Sequence, residues 1–148
     1  MISIDKFACV LENAPLVSID FIVEYDGRYL LGRRNNAPAK GYWFTLGGRI
    51  FKNESIKQAI MRLAHKELGL DVSNCNISFL GVFEHFYNES FVGEEISTHY
   101  VVLAYKLSIH QTEELPTDEH HAYHYFSKQE LLDDSDVHPY VKDYFRSV

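Results

Sequence analysis

The chain has 148 residues, 46% of them hydrophobic and 24% charged, with a net charge of −7 and two cysteines. Those values describe one ordinary globular domain over residues 1–148, long enough to bury a core without staples, and exclude a disordered, fibrous or disulfide-framed chain. No apolar stretch, residues 100–105 included, approaches the roughly 20 residues of a membrane helix, and Asp5, Lys6 and Glu12 leave no apolar signal core, so no membrane contact and a cytoplasmic location are expected.

Residues 16–25 alternate, with Val17, Ile19, Phe21, Val23 and Tyr25 on one face, which predicts a strand. Asp26-Gly27 is a two-residue hairpin signal, returning the chain as a second strand over 28–33. A loop with Pro38 follows, then a short aromatic strand over 42–45 that runs into Gly47-Gly48. Trp43 and Phe44 read as core. Ile56, Ala59, Ile60, Leu63 and Ala64 recur at helical spacing, with Asn53 as the expected N-cap and Gly69 as a left-handed C-cap. Strands are predicted over 77–86 and 97–109, joined by a turn containing Gly93. An acidic loop around 113–119 leads to a short strand over 123–126, and helices over 128–133 and 139–145 finish the chain. Hairpins, a central helix and later helices give an α+β or mixed α/β sandwich.

Charge is distributed unevenly. Residues 28–66 hold nine Lys/Arg against Glu54 alone, for a balance of +8, whereas residues 1–27 stand at −4 and 67–148 at −11. A basic middle third in an acidic chain points to one local anion site, and the acidic remainder argues against a nucleic-acid partner. A small phosphorylated ligand fits better.

Within the predicted helix, Glu67 continues the buried stripe and stands in the last turn, where the helix dipole disfavours an anion. Such a carboxylate needs a cation, either a metal ion or a basic side chain. Glu54 at the helix start is explained by the dipole, and Arg62 and Lys66 read as a solvated polar face. Gly47-Gly48 allows close backbone approach to a ligand and Arg49 is placed to pair with phosphate, although a tight turn needs the same glycines. Together these residues form a loop–helix–loop able to hold a diphosphate and Mg²⁺, which commonly takes only one or two protein carboxylates. Eight histidines include 120, 121 and 124; with no cysteine close by and no HExxH motif, a zinc site is the weaker reading of that cluster.

Gly48, Glu54, Arg62, Glu67, Gly69 and Leu70 fall on the pattern GX5EX7REUXEEXGU, so this stretch resembles the Nudix box. Leu63 and Lys66 stand where two further glutamates belong; Leu46, where proline is expected before the glycine pair, is a separate small departure that affects loop stiffness. That altered box resembles the GDP-mannose mannosyl hydrolases, as do residues 15–24, 30–44, 47–50, 81–88 and 97–103. The resemblance implies an α/β/α Nudix sandwich with a mixed β-sheet, a homodimer, and one Mg²⁺ per site held by the Gly47 carbonyl, Glu67 and His120. His120 occupies a glutamine position, which leaves Mn²⁺ as an alternative metal. The implied reaction is hydrolysis of GDP-mannose or GDP-glucose to GDP and free sugar, with inversion, by water attacking the sugar's C1.

The same resemblance makes His121, on the acidic loop, the general base; an unperturbed imidazole suits proton transfer near neutral pH. It assigns Arg34 and Arg49 to the departing diphosphate, Tyr100 to a phosphate hydrogen bond, and Asp20 and His85 to the sugar pocket. Two other readings stand beside it. One is an ordinary Nudix pyrophosphohydrolase attacking phosphorus, against which Leu63 and Lys66 argue; the other is a non-catalytic nucleotide-sugar sensor.

Overall fold

The structure is a computed structural model that describes residues 2–110 and 120–146, with the side chains of His120 and His121 outside the description. The acidic loop over 113–119 therefore lies outside the described residues. The elements are α1 (Ile4–Asn13), β1 (Leu16–Tyr25), β2 (Arg28–Arg34), β3 (Trp43–Phe44), β4 (Leu46–Arg49), α2 (Ile56–Leu68), β5 (Asn76–Tyr87), β6 (Thr98–Ser108), β7 (His120–Phe126), α3 (Lys128–Asp133) and α4 (Pro139–Arg146).

β1 is the axis of the sheet. It runs parallel to β6 from Leu16↔Tyr100 to Glu24↔Ser108, and antiparallel to two partners on its other side. Those partners are β2 over Val23–Tyr25 and β4 over Ser18–Phe21, so the sheet opens where the two diverge. β3 and β7 extend the β2 side, and β5 forms the far edge beside β6. The sheet is mixed, as expected. Asp26 and Gly27 both adopt positive φ, at 52° and 76°, which a two-residue turn matched to strand twist requires.

Helices cover both faces. α2 lays Ala59, Ile60, Leu63, Ala64 and Leu68 on Ile19, Phe21 and Val23. On the opposite face Leu131 of α3 and Val141, Tyr144 and Phe145 of α4 pack on Ile22, Leu31 and Ala104. Each fully buried Leu or Phe here contributes about 1.5–3 kcal/mol relative to exposure. The result is a mixed α/β fold with helices on both sides of the sheet. Among the described residues no helix is long and apolar enough to cross a membrane.

Several expectations are corrected. The N-cap of α2 is Ser55, in a reciprocal capping box with Gln58, whereas Asn53 sits at φ 67° in the preceding turn. Ile56 is 45% exposed, so the buried stripe begins at Ala59. Gly69 caps the helix in the left-handed conformation, as predicted. β1 is buried on both faces from Ser18 to Val23, because strands flank it and helices lie above and below; Val17 is exposed. The glycine pair belongs to β4, not a loop, and β7 begins at His120 instead of 123. His121 is therefore a strand residue and not part of the acidic loop. α1, capped by Ser3, has no counterpart in the sequence reading.

Candidate active site

Because β1 is buried on both faces, its even residues also point inward, and Ser18 and Asp20 line a cavity of about 230 Å³. Arg34 reaches it from the end of β2, Gly47, Gly48 and Arg49 from β4, Glu67 from α2, His85 from β5, and Thr98 and Tyr100 from β6. Seven of the nine expected site residues thus share one cavity: Asp20, Arg34, Gly47, Arg49, Glu67, His85 and Tyr100. The other two, His120 and His121, are placed by backbone alone. His120 pairs with Arg34, and the register shift between Arg33 and Arg34 falls opposite His121, so this residue occupies a bulge beside a cavity-lining strand end.

The glycine pair has a packing cause. A Cβ on Gly47 would lie 2.0 Å from the Ile19 carbonyl oxygen, and one on Gly48 would lie 2.7 Å from Leu63 Cδ2. β4 can approach β1 and α2 this closely only without side chains. Leu63, at 2% exposure, fills core space at a box position where the pattern expects glutamate. Lys66 is exposed. Glu67, at 4% exposure, is the glutamate that α2 brings to the cavity.

Arg62 is not a solvated charge. Its guanidinium donates to both Glu54 oxygens at 2.7 and 3.0 Å and to the Arg49 carbonyl at 2.9 Å, and lies 3.8 Å over the Phe51 ring. This bond with Arg62 holds the Glu54 carboxyl below its ordinary range. The two box residues therefore clamp the β4–α2 connection and fix the end of β4 that carries Arg49. The Arg49 guanidinium itself rests on Phe7 of α1 at 4.6 Å and on Phe51 at 5.5 Å. Arg34 donates through Nε to the Pro38 carbonyl at 2.8 Å, which ties it to the loop over 35–41. Other arginines of the basic segment are engaged elsewhere: Arg28 pairs with Glu130 and Arg33 with Asp136.

The cavity floor is polar and buried. Tyr144 of α4 donates its hydroxyl to Asp20 Oδ2, and the Tyr144 hydroxyl oxygen lies 3.2 Å from His85 Nε2. Burial raises the Asp20 carboxyl to about 6, against the opposing pull of the Tyr144 bond and the Arg34 charge. Burial lowers the His85 imidazole to about 4, with His138 adding to the effect. The His85 ring stacks on Tyr140, 4.3 Å apart and 6° from parallel. Thr45 Oγ1 sits beside the carboxylate, buried, without a hydrogen bond of good geometry to any described residue.

Sequence reasoning missed Phe7 and Leu11 of α1, Thr45, Tyr87 and Phe91, all of which line the cavity, and Tyr144 beneath it. A signal for α1 was present, since Ile4, Phe7 and Leu11 follow helical spacing after a Ser3 cap. Trp43 is half-buried against Phe126, and Phe44 is buried but also faces the cavity.

A hard-oxygen donor set of one buried carboxylate and the Gly47 carbonyl fits a Mg²⁺ ion that keeps most of its shell for water and phosphate. Arg34 and Arg49 supply the positive charge a diphosphate needs at the same cavity.

Comparison with known proteins identifies the family. The chain is 39% identical over 142 residues to the low-salt glycan biosynthesis protein Agl8 of Haloferax volcanii, covering 95% of this chain and 86% of that protein. Its fold is similar to the MutT protein of Methanosarcina mazei, with TM-score 0.75 and 21% identity over 91% of this chain and 94% of that one. It is also similar to the Nudix domain of Shewanella oneidensis NrtR complexed with ADP-ribose, with TM-score 0.67 and 17% identity over 99% and 98% of the two chains. The family model for the NUDIX domain matches residues 15–146, and the chain belongs to the Nudix hydrolases.

Proposed function

We propose that this Nudix hydrolase cleaves GDP-mannose or a related GDP-hexose such as GDP-glucose, at the sugar carbon, releasing GDP and free sugar. The observation that carries the reading is the altered helix. Where the box pattern has a glutamate cluster, α2 presents Leu63 to the core and Lys66 to solvent, and brings Glu67 alone to the cavity. Nudix hydrolases generally use divalent metals such as Mg²⁺. A single carboxylate suits one such ion, held by Glu67, the Gly47 carbonyl and His120; when bound, it supplies charge neutralisation at the diphosphate. The relative Agl8, a glycan biosynthesis protein, supports a sugar-nucleotide substrate.

The chain's own residues then divide the work. Arg34 and Arg49 grip the diphosphate, and Tyr100 donates to a phosphate oxygen. Asp20 and His85 hold the sugar hydroxyls at the floor. His121 takes the proton from a water whose oxygen bonds to C1 as the bond from C1 to the phosphate oxygen breaks and its electron pair leaves with GDP. Preorganised positive charge at the leaving group is usually the largest contribution in such a site. The functional unit is a homodimer in this reading.

Incubation with GDP-mannose and Mg²⁺ in ¹⁸O-water tests it. The expected products are unlabelled GDP and labelled mannose. GMP and mannose 1-phosphate, with label on a phosphate, would establish attack at phosphorus, and binding without turnover would establish a sensor.

A further inference from the structure

We propose that Tyr144 of α4 is a positioning residue that fixes the hydrogen-bonding polarity of the cavity floor by locking one tautomer of His85 against Asp20. The inference rests on the reading of the floor as a sugar site, and extends it to a residue beneath the cavity. Tyr144 is 1% exposed and carries a single hydroxyl proton. That proton goes to Asp20 Oδ2, so the hydroxyl faces His85 Nε2, 3.2 Å away, with only its lone pairs. The contact is favourable only if Nε2 carries the ring hydrogen, which leaves Nδ1 as an acceptor. One hydroxyl thereby sets His85 as Nε2–H and spends one Asp20 oxygen.

Two further features hold the ring in place. Tyr140, one helical turn before Tyr144, stacks on it, and the Tyr140 hydroxyl donates to the Phe86 carbonyl at 2.9 Å and accepts from the Phe86 amide at 3.0 Å. α4 thus grips His85 and the adjacent strand end from below with two tyrosines on one helix face. Thr45 Oγ1, buried beside Asp20 without a well-formed bond, adds a hydroxyl that can turn toward Asp20 or toward an occupant. A fixed pattern of acceptors next to one adaptable hydroxyl suits a ligand with several hydroxyl donors, and discriminates between sugars by which hydroxyl meets which acceptor.

Two measurements test the proposal, and the first needs no substrate. Nitrogen-15 NMR of the wild-type protein at pH 7 should show His85 as the neutral Nε2–H tautomer, and Tyr144→Phe should convert it to a tautomer mixture. Tyr144→Phe keeps the ring packed edge-on to Phe83, so the core is retained. In the second, Tyr144→Phe should raise KM for GDP-mannose by about 10-fold, the worth of a hydrogen bond to a charged group, and leave GDP affinity within about twofold. A wild-type Nδ1–H tautomer, or an unchanged tautomer in Tyr144→Phe, would overturn the proposal, as would equal losses for GDP and GDP-mannose. If GDP-mannose is not turned over, the reading of the substrate fails while the tautomer measurement still decides the role of Tyr144.

Discussion

Substituting alanine at Gly47 and Gly48 separately should have unequal effects, and their inequality tests why β4 carries glycines. Neither residue adopts a positive φ, so the argument rests on space alone. At Gly47 the new Cβ would lie 2.0 Å from the Ile19 carbonyl oxygen, a backbone atom in the central strand. Ordinary carbon–oxygen approach is about 3.3 Å, so β4 must retreat by about 1.3 Å. Its ladder to β1 runs only from Ser18↔Arg49 to Phe21↔Leu46, and such a shift breaks or stretches most of it. Losing two backbone hydrogen bonds at about 1 kcal/mol each, with about 1–3 kcal/mol of packing strain, gives about 3–5 kcal/mol. At Gly48 the obstacle is Leu63 Cδ2 at 2.7 Å, the end of a side chain that can turn away, and the cost should be about 1 kcal/mol. Urea unfolding followed by Trp43 fluorescence measures both. Adding Leu63→Ala should relieve the Gly48→Ala strain, giving a favourable coupling of about 1 kcal/mol in a double-mutant cycle. A Gly47→Ala protein within 1 kcal/mol of wild type, or one more stable than Gly48→Ala, would refute the reasoning.

Further expectations concern chemistry and pH. His121→Ala should lower kcat far more than GDP affinity, because a base acting on water does not hold the nucleotide; equal losses count against that role. Arg49→Ala should cost about 2.7–4 kcal/mol of barrier, as for removal of one oxyanion-type donor, and a rate change under threefold would make Arg49 structural. Phe7→Leu removes one of the two rings beneath the Arg49 guanidinium and should raise KM severalfold with little change in unfolding midpoint; an unchanged KM would disconnect α1 from the site. His85 is held neutral when folded, with its pKa lowered from 6.5 to about 4, so it withdraws stability as pH falls from about 6.5 through 4. His85→Gln should therefore gain about 3 kcal/mol relative to wild type across that interval, and a flat difference by urea unfolding at several pH values would contradict the burial argument.

How much of this was legible in the sequence follows from range. Asp26-Gly27, the α2 stripe from Ala59 onward, Gly69 and both closing helices are local signals, and each lies where its spacing places it. Glu67 was readable as inward because a helix repeats its faces. α1 carries only a weak signal: Ser3 caps it and Ile4, Phe7 and Leu11 recur at helical spacing, but Leu11 is its one buried residue and Phe7, Cys9 and Val10 are weak helix formers. The Glu54–Arg62 clamp escaped because Glu54 lies before the cap, so helical spacing does not relate the two. Tyr144 could not have been found at all, since it stands 124 residues from Asp20 and no pattern connects the far end of the chain to the first strand.

The parallel pairing of β1 with β6 governs how the molecule comes into being. Every other strand joined to β1 arrives soon after it, but Leu16 meets Tyr100, and closing a loop of roughly 80 residues must precede any reward from that contact. Folding should therefore be slow for a domain of this size, with a nucleus that waits for a distant strand. On the ribosome the first two-thirds of the chain has two helices and β1 to β5 but lacks the β6 that joins β1 to β5, and the cavity exists only after β6 has emerged. Fragments ending before Thr98 should remain unfolded, exposing the apolar central strand to aggregation until its partner is made.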